Sequence, residues 1–268
     1  MPTFPDLPFD DKFSSTLAGG RRLVYATEDG DDVMDYRADA EPSYARYQRM
    51  PMNFGAYRWR VLERDGSVHL FGQMDAAHRG QCSFTEGFAP LTSTTDVFGN
   101  RIDYEWETSS LPDNVECRIK QITFGANDGA SLQHFARVAF SYDVPTPCAG
   151  LAFVSGKIDY RGGVRRVFGA SRLLDITSTA FDPAAPTTIQ HTRTVTLNYD
   201  QAALDQCTDD HAPTKLIASI DQVVTSINGP SVTVPRTTFT YGAMDLTWDT
   251  ASQISTWQQD SFAFDRGI

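Results

Sequence analysis

Residues 95–106 read TDVFGNRIDYEW. A polar D-x-x-G-N turn runs directly into a segment that alternates strictly. Ile102, Tyr104 and Trp106 fall on one face of a strand, and Asp103 and Glu105 on the other. The stretch has three readings: a catalytic loop, a metal loop, or a piece of architecture that the rest of the chain repeats. In the turn, Asp96 is placed to bond back to the backbone. Gly99 or Asn100 takes the left-handed position of a loop of about three to four residues.

The rest of the chain favours architecture. Its 268 residues are enough for one large β domain or two smaller ones. Aromatic residues make up 12%, with 17 Phe and 10 Tyr, a composition that fits pleated, half-buried surfaces. The only helical candidates are short, at 201–206 and 250–259. Elsewhere period-two alternation is broken by turn signals. In WRVLERDGSVHLFG (59–72), Asp65-Gly66 separates two alternating runs and supplies the positive φ of a tight hairpin. Asn127-Asp128-Gly129 and Asn228-Gly229-Pro230 punctuate the chain in the same way.

An internal repeat follows. RIKQITF (118–124) leads to FARVAFSYD (135–143), RLLDITSTAF (172–181) to HTRTVTLNYD (191–200), and KLIASIDQV (215–223) to PRTTFTYG (235–242). Each unit is an Ile-centred strand, a connection, then Arg-x-(Val/Thr)-x-(Phe/Leu)-x-Tyr. Arg137, Arg193 and Arg236 precede the closing Tyr142, Tyr199 and Tyr241 by five or six residues. A two-stranded hairpin is unstable alone and gains stability by pairing with its neighbours, which is a physical reason to repeat. The expected fold is all-β: repeated antiparallel hairpins in an extended, curved sheet, with a β-sandwich as the alternative. The expected organisation is a lead-in over 1–12, a repetitive β domain over 13–245 and a tail over 246–268.

Known chemical motifs are missing. There is no G-x-S-x-G, H-E-x-x-H, Walker A or G-x-G-x-x-G. The histidines are scattered and read as surface or packing residues. The acidic run EDGDD (28–32) lacks the spacing of a calcium loop and reads as solvated. Glu105 and Glu107 form a Glu-x-Glu pair, which alternation along a strand explains without catalysis. The loop cluster Asp205, Asp209, Asp210 and His211 reads as hydrated. No cofactor and no metal site is expected. A net charge of −11 disfavours nucleic acid and anionic membranes, and the local cluster Arg161, Arg165, Arg166 reads as a loop near a hairpin. No apolar run approaches the roughly 18 residues of a membrane span. The opening MPTFPDLPFDDKF lacks a basic n-region and an apolar h-region, so it is not read as a Sec-type signal. The four cysteines include no C-x-x-C. Cys148 and Cys207, both in loop-like sequence, are the candidate disulfide pair, with free thiols the alternative.

The ordered segments WRVLERDGSVHLFG, APLTSTTDVFGNRIDYEW, RIKQITFG, FARVAFSYD, SRLLDITSTA, TVTLNYD, KLIASID and TTFTYG resemble a known family. That family is the N-terminal domain of plasmid-virulence B (SpvB-type) proteins. It is shared with the B subunits of insecticidal toxin complexes and related to Rhs/YD-repeat shell proteins. Asp65, Gly66, Gly72, Asp96, Gly99, Asn100, Tyr104, Tyr142, Tyr199 and Tyr241 sit on matching positions. The resemblance covers roughly residues 13–245. It implies a non-enzymatic, strand-rich shell that encloses or docks a toxin polypeptide. The implied partners are other toxin-complex subunits, downstream shell segments or further copies of the chain. The implied location is outside the cell, reached without an N-terminal Sec signal. Neither a β-propeller with Asp-Gly-Asp repeats nor a C-terminal ADP-ribosyltransferase, both found in some relatives, occurs here. Two other functions compete. One is a carbohydrate- or cell-surface-binding module using Tyr44, Tyr47, Tyr57, Trp248 and Trp257. The other is a hydrolase using carboxylates among Asp103, Glu105 and Glu107.

Overall fold

A computed structural model of the chain describes residues 13–29, 33–39, 44–50, 58–72, 89–111, 114–143, 157–159, 166–168, 171–200 and 216–241. The chain divides into two compact units, Met1–Thr238 and Phe239–Ile268, the division falling before the boundary at 245 that the sequence marks. The lead-in 1–12, the tail 246–268 and both helical candidates lie outside the described residues.

The described residues are almost entirely strand. The first are β1 (Ser14–Ser15), β2 (Arg21–Asp29), β3 (Val33–Ala38), β4 (Arg46–Met50), β5 (Arg58–Leu62) and β6 (Val68–Phe71). Then come β7 (Leu91–Thr95), β8 (Asn100–Leu111), β9 (Asn114–Asn127) and β10 (Ala136–Asp143). A small separate hairpin pairs β11 (Lys157–Asp159) with β12 (Arg166–Phe168). The series ends with β13 (Arg172–Asp182), β14 (Ala185–Tyr199), β15 (Ile217–Ser226) and β16 (Val232–Thr238). Apart from β11 and β12, the strands form one 14-stranded sheet in chain order. Every neighbouring pair is antiparallel, so the sheet is a continuous meander. The sandwich alternative would require strands to cross to a second layer, and these do not.

Turn chemistry sets the hairpins. Asp65 Oδ1 accepts from Ser67 N at 2.8 Å, and Gly66 has φ +90°. Of the two candidates in the D-x-x-G-N turn, Gly99 takes the left-handed backbone, at φ +83°. The stretch around Gly129 joins β9 to β10 as an antiparallel hairpin. Asp128–Ala130 forms a 3-10 turn capped by Asn127, and Ser131 is the left-handed residue.

The two faces of the sheet differ. Register places Ile102 opposite Phe124, Tyr104 opposite Ile122, Ile122 opposite Val138, Phe140 opposite Ile176, Ile176 opposite Val195, and Leu197 opposite Ile220. The intervening residues make a polar face, with Asp103 opposite Thr123, Glu105 opposite Gln121, and Asp175 opposite Thr196. Among the described residues the fully buried apolar cluster lies at the N-terminal end. There Tyr36, Tyr47, Trp59, Val61 and Leu23 pack together with Phe13 against them. Phe13 meets Trp59 edge-on at 5.0 Å and Tyr36 at 5.8 Å, the geometry ring quadrupoles favour. Beside the cluster Asp35 is buried and bonded to Arg46. Burial pushes the Asp35 carboxyl up, but hydrogen bonds from Arg46 and Gln48 outweigh it and hold the group below its ordinary value.

Gly125 is an extra residue in β9, skipped between the pairs Arg101–Ala126 and Ile102–Phe124. Its φ is +87°, and the Phe135 ring lies directly over it: a Cβ at this position would stand 2.0 Å from Phe135 Cε1. Gly125→Ala therefore combines left-handed strain with overpacking, and is expected to cost about 2–4 kcal/mol. Urea unfolding will show this as a lowered midpoint with an unchanged slope. An unchanged midpoint would mean that Phe135 does not hold this position.

Candidate functional site: a repeated bulge and aromatic ladder

The repeat read from the sequence has a common structural core, and it is wider than three units. In β9 the register skips Lys120, so that Trp106 faces Ile119. In β13 it skips Leu174, so that Tyr142 faces Leu173. In β15 it skips Ala218, so that Tyr199 faces Ile217. In β7 it skips Thr92, so that Phe71 faces Leu91. Lys120, Leu174 and Ala218 each lie two residues before the central Ile122, Ile176 and Ile220. Four bulges thus occupy one repeating position, each opposite an aromatic residue.

A β-bulge interrupts the hydrogen-bond ladder. The carbonyls just before three of the four extra residues accept from a side-chain donor. Trp106 Nε1 donates to Leu91 O at 2.7 Å, Tyr142 OH to Ile119 O at 2.8 Å, and Tyr199 OH to Leu173 O at 2.8 Å. Each acceptor residue faces the preceding aromatic, so the bonds step across the sheet from strand to strand. Cations cover two of the rings. The Arg118 guanidinium carbon lies 4.5 Å from the Tyr142 ring centroid, and that of Arg172 lies 5.7 Å from the Tyr199 ring. The corresponding residue in the third unit is Leu216. Burial pushes both phenols up from their ordinary value, and the nearby guanidinium opposes it.

Arg118 also joins the ladder to the connection before β13. It donates through Nε to Glu107 at 2.7 Å and through Nη1 to Ser171, whose own N and Oγ donate to the buried Glu116 at 2.9 and 2.6 Å.

The turn residues singled out in the sequence come together at one place. Asp96 Oδ1 accepts from Phe98 N and Asn100 N, both at 2.9 Å, and Asp96 Oδ2 from Asn100 Nδ2 at 2.8 Å. The Asn100 amide is the largest reason that the Asp96 carboxyl lies below its ordinary value. Asn127 reaches across from β9 to Phe98 O and Asn100 Oδ1 at 3.0 and 3.1 Å. Val97 packs against Gly66 of the neighbouring hairpin. Tyr104 stands on the apolar face opposite Ile122. Tyr241, in the second unit, is 49% exposed.

The carboxylates of the hydrolase reading each have a cationic neighbour. Asp103 pairs with Arg101 at 3.0 Å, and His134 Nε2 lies 2.9 Å from it without hydrogen-bond alignment. Glu105 pairs with Lys120 at 2.6 Å and accepts from Gln121, and Glu107 pairs with Arg118. His69 contacts Thr94 at 3.0 Å and His191 contacts Ser226 at 3.1 Å. Among the described residues no group of three or more His, Cys, Asp or Glu is placed to hold a metal. Of the EDGDD run, Glu28 and Asp29 end β2 and the rest lies outside the described residues, as do Arg161, Arg165 and the cluster Asp205–His211.

Cys148 and Cys207 also lie outside the described residues. Cys117, in β9 opposite Thr108, is disulfide-bonded, a pairing that sequence reasoning did not single out.

Trp106 and Phe71 are the repeat positions that sequence reasoning missed. One signal was present: Arg101 precedes Trp106 by five residues, as Arg137 precedes Tyr142. The ladder predicts that Tyr142→Phe, which keeps the ring and removes the donor to Ile119 O, lowers stability by about 1–2 kcal/mol in chemical denaturation. An unchanged stability would show that the bond is dispensable.

No family model matches this sequence, and no curated protein matches it. Solved structures do. The N-terminal domain of effector protein SpvB from Salmonella typhimurium strain LT2 superposes with a TM-score of 0.53 at 14% identity, over 90% of this chain and 84% of that one. The Tc holotoxin pore of Photorhabdus luminescens superposes with a TM-score of 0.57 at 17% identity, over 83% of this chain. This chain spans only 12% of that one. The chain has the fold of the SpvB N-terminal domain, as the resemblance in its sequence implies, and it shares that fold with a part of the Tc toxin complex.

Proposed function

We propose that the chain is a non-enzymatic structural module of a secreted toxin complex, a wall segment that encloses or docks a toxin polypeptide. The observation that carries this reading is the sheet itself. It is a meander in chain order, built by repeating one bulged pair, with an apolar face and a polar face along its length. Such a sheet grows by adding units rather than by closing on one core. The likeness to the SpvB domain and to the Tc holotoxin supports the same reading at the level of fold. The cationic neighbours of Asp103, Glu105 and Glu107 support a structural role for these carboxylates. The disulfide at Cys117 fits an oxidising location outside the cytoplasm. Partners are then other subunits or further shell segments.

A glycan-binding reading has less support. Of the aromatics it would use, Tyr47 is 1% exposed and packed in the apolar cluster, and Tyr44 is 76% exposed. Tyr57, Trp248 and Trp257 lie outside the described residues.

Co-expression with the polypeptide encoded immediately downstream tests the proposal. The expected result is a complex that survives size-exclusion chromatography and shields that polypeptide from trypsin. A chain that elutes alone, with the polypeptide cleaved as fast as when free, would contradict it.

A further inference from the structure

We propose that a hollow on the apolar face of the sheet, across β10, β13 and β14, receives one apolar side chain of a partner polypeptide, and that Arg193 beside it pairs with an acidic residue close to that side chain. This rests on the reading of the chain as a wall segment that encloses or docks a polypeptide, and it names a place where the two meet.

The hollow comes from side-chain size. In one cross-strand row of the apolar face Phe140, Ile176 and Val195 stand side by side, all bulky. In the next two rows the side chains shrink: Val138 faces Ser178, and Ala136 faces Ala180. The missing bulk leaves a depression of about 270 Å³. Phe124, opposite Ala136, bounds it on the β9 side. His191 and Arg193, opposite Ala180 and Ser178, bound it on the β14 side. Its lining is nearly all apolar. Sites that enclose a small molecule have roughly 300–1,000 Å³. This hollow is smaller and open to one side, so it suits a single side chain presented on a backbone.

Arg193 supplies the charge. Arg137 precedes Tyr142 by five residues, but Arg193 precedes Tyr199 by six. Successive strand residues alternate faces. Arg137 therefore stands on the polar face, where its guanidinium carbon lies 5.5 Å from the Phe181 ring centroid, and Arg193 stands on the apolar face with Val195. Arg193 Nη2 donates to the Gln222 amide oxygen at 2.8 Å. That partner is neutral. Arg46, Arg101, Arg118, Arg172 and Arg236 each meet a carboxylate, and Arg193 meets none among the described residues. A guanidinium at the margin of an apolar hollow fits a carboxylate, because the charge-assisted bond is about twice as strong as a neutral one. The occupant is thus a segment with Leu, Ile, Met or Phe within two residues of Asp or Glu. The apolar side chain supplies burial, and the ion pair fixes its orientation.

The test uses the full chain and random dodecapeptides displayed on phage. Peptides are selected on the wild-type chain and counter-selected on Ala180→Leu, which fills the hollow. Calorimetry then measures the selected peptides against wild type, Ala180→Leu and Arg193→Gln, with circular dichroism as the check that both variants fold. Should Ala180→Leu not fold, Arg193→Gln, at an exposed position, serves for the counter-selection. The expected peptides share an apolar residue close to an acidic one, and Arg193→Gln raises their Kd by about tenfold or more. Replacing the peptide's acid by its amide costs as much on wild type and nothing further on Arg193→Gln. Failure of any peptide to survive counter-selection, or binding indifferent to Arg193→Gln, would overturn the proposal. So would a wild-type dimer that Ala180→Leu converts to a monomer in light scattering, because a second copy would then fill the hollow. No downstream polypeptide takes part. Failure here beside a stable co-expressed complex would leave the wall reading standing and move the contact elsewhere.

Discussion

The hydrogen bond from a closing aromatic to the carbonyl one strand back, made at the point where that strand carries an extra residue, organises this sheet. A bulge alone would weaken a strand, because it breaks the ladder and leaves backbone groups to be satisfied. Here Trp106, Tyr142 and Tyr199 supply donors to Leu91, Ile119 and Leu173. The bulge in turn shifts the register by one residue at the aromatic, so Ile119, Leu173 and Ile217 face rings. A one-residue slip would carry each strand's apolar set to the other face. The aromatic and the bulge therefore specify each other, and together they fix which face of the next strand is apolar.

The rest of the architecture follows from that coupling. Because each pair sets the register of the next, the sheet can be extended without a central core. The fully buried apolar cluster is accordingly confined, among the described residues, to Tyr36, Tyr47, Trp59 and their neighbours at the N-terminal end. The polar face is laced by cross-strand pairs such as Arg118–Glu107, Lys120–Glu105 and Arg236–Asp221. Partly exposed pairs of this kind contribute little stability each, and their regular placement matters more for register than for energy. The Asp96 and Asn127 turn network does comparable work at the hairpin ends, where side chains replace missing ladder bonds.

Much of this was legible in the sequence. The alternation in RIDYEW, the Asp65-Gly66 turn and the three Ile-to-Tyr units point to an antiparallel, repetitive β fold, and the sheet has that form. What escaped sequence reasoning escaped for physical reasons. A bulge has no composition of its own: Thr92, Lys120, Leu174 and Ala218 share no side-chain chemistry, only a place. The closing position accepts Phe, Trp or Tyr, so a search for Tyr finds three units and passes over Phe71 and Trp106. Tyr47 reads as an exposed aromatic in isolation, and only the register opposite Tyr36 and Val61 shows why it is buried. Cys117 lies within a strand, whereas loop-like surroundings drew attention to Cys148 and Cys207.

Deleting Ala218 tests the coupling most directly. The residue carries a single methyl group, so its loss removes little packing and chiefly removes the bulge. If the bulge sets register, the shortened chain will lose amide protection through β15 and β16 and will be destabilised by about 2 kcal/mol or more, well beyond the loss of one methyl group. Unchanged protection in both strands would contradict the account.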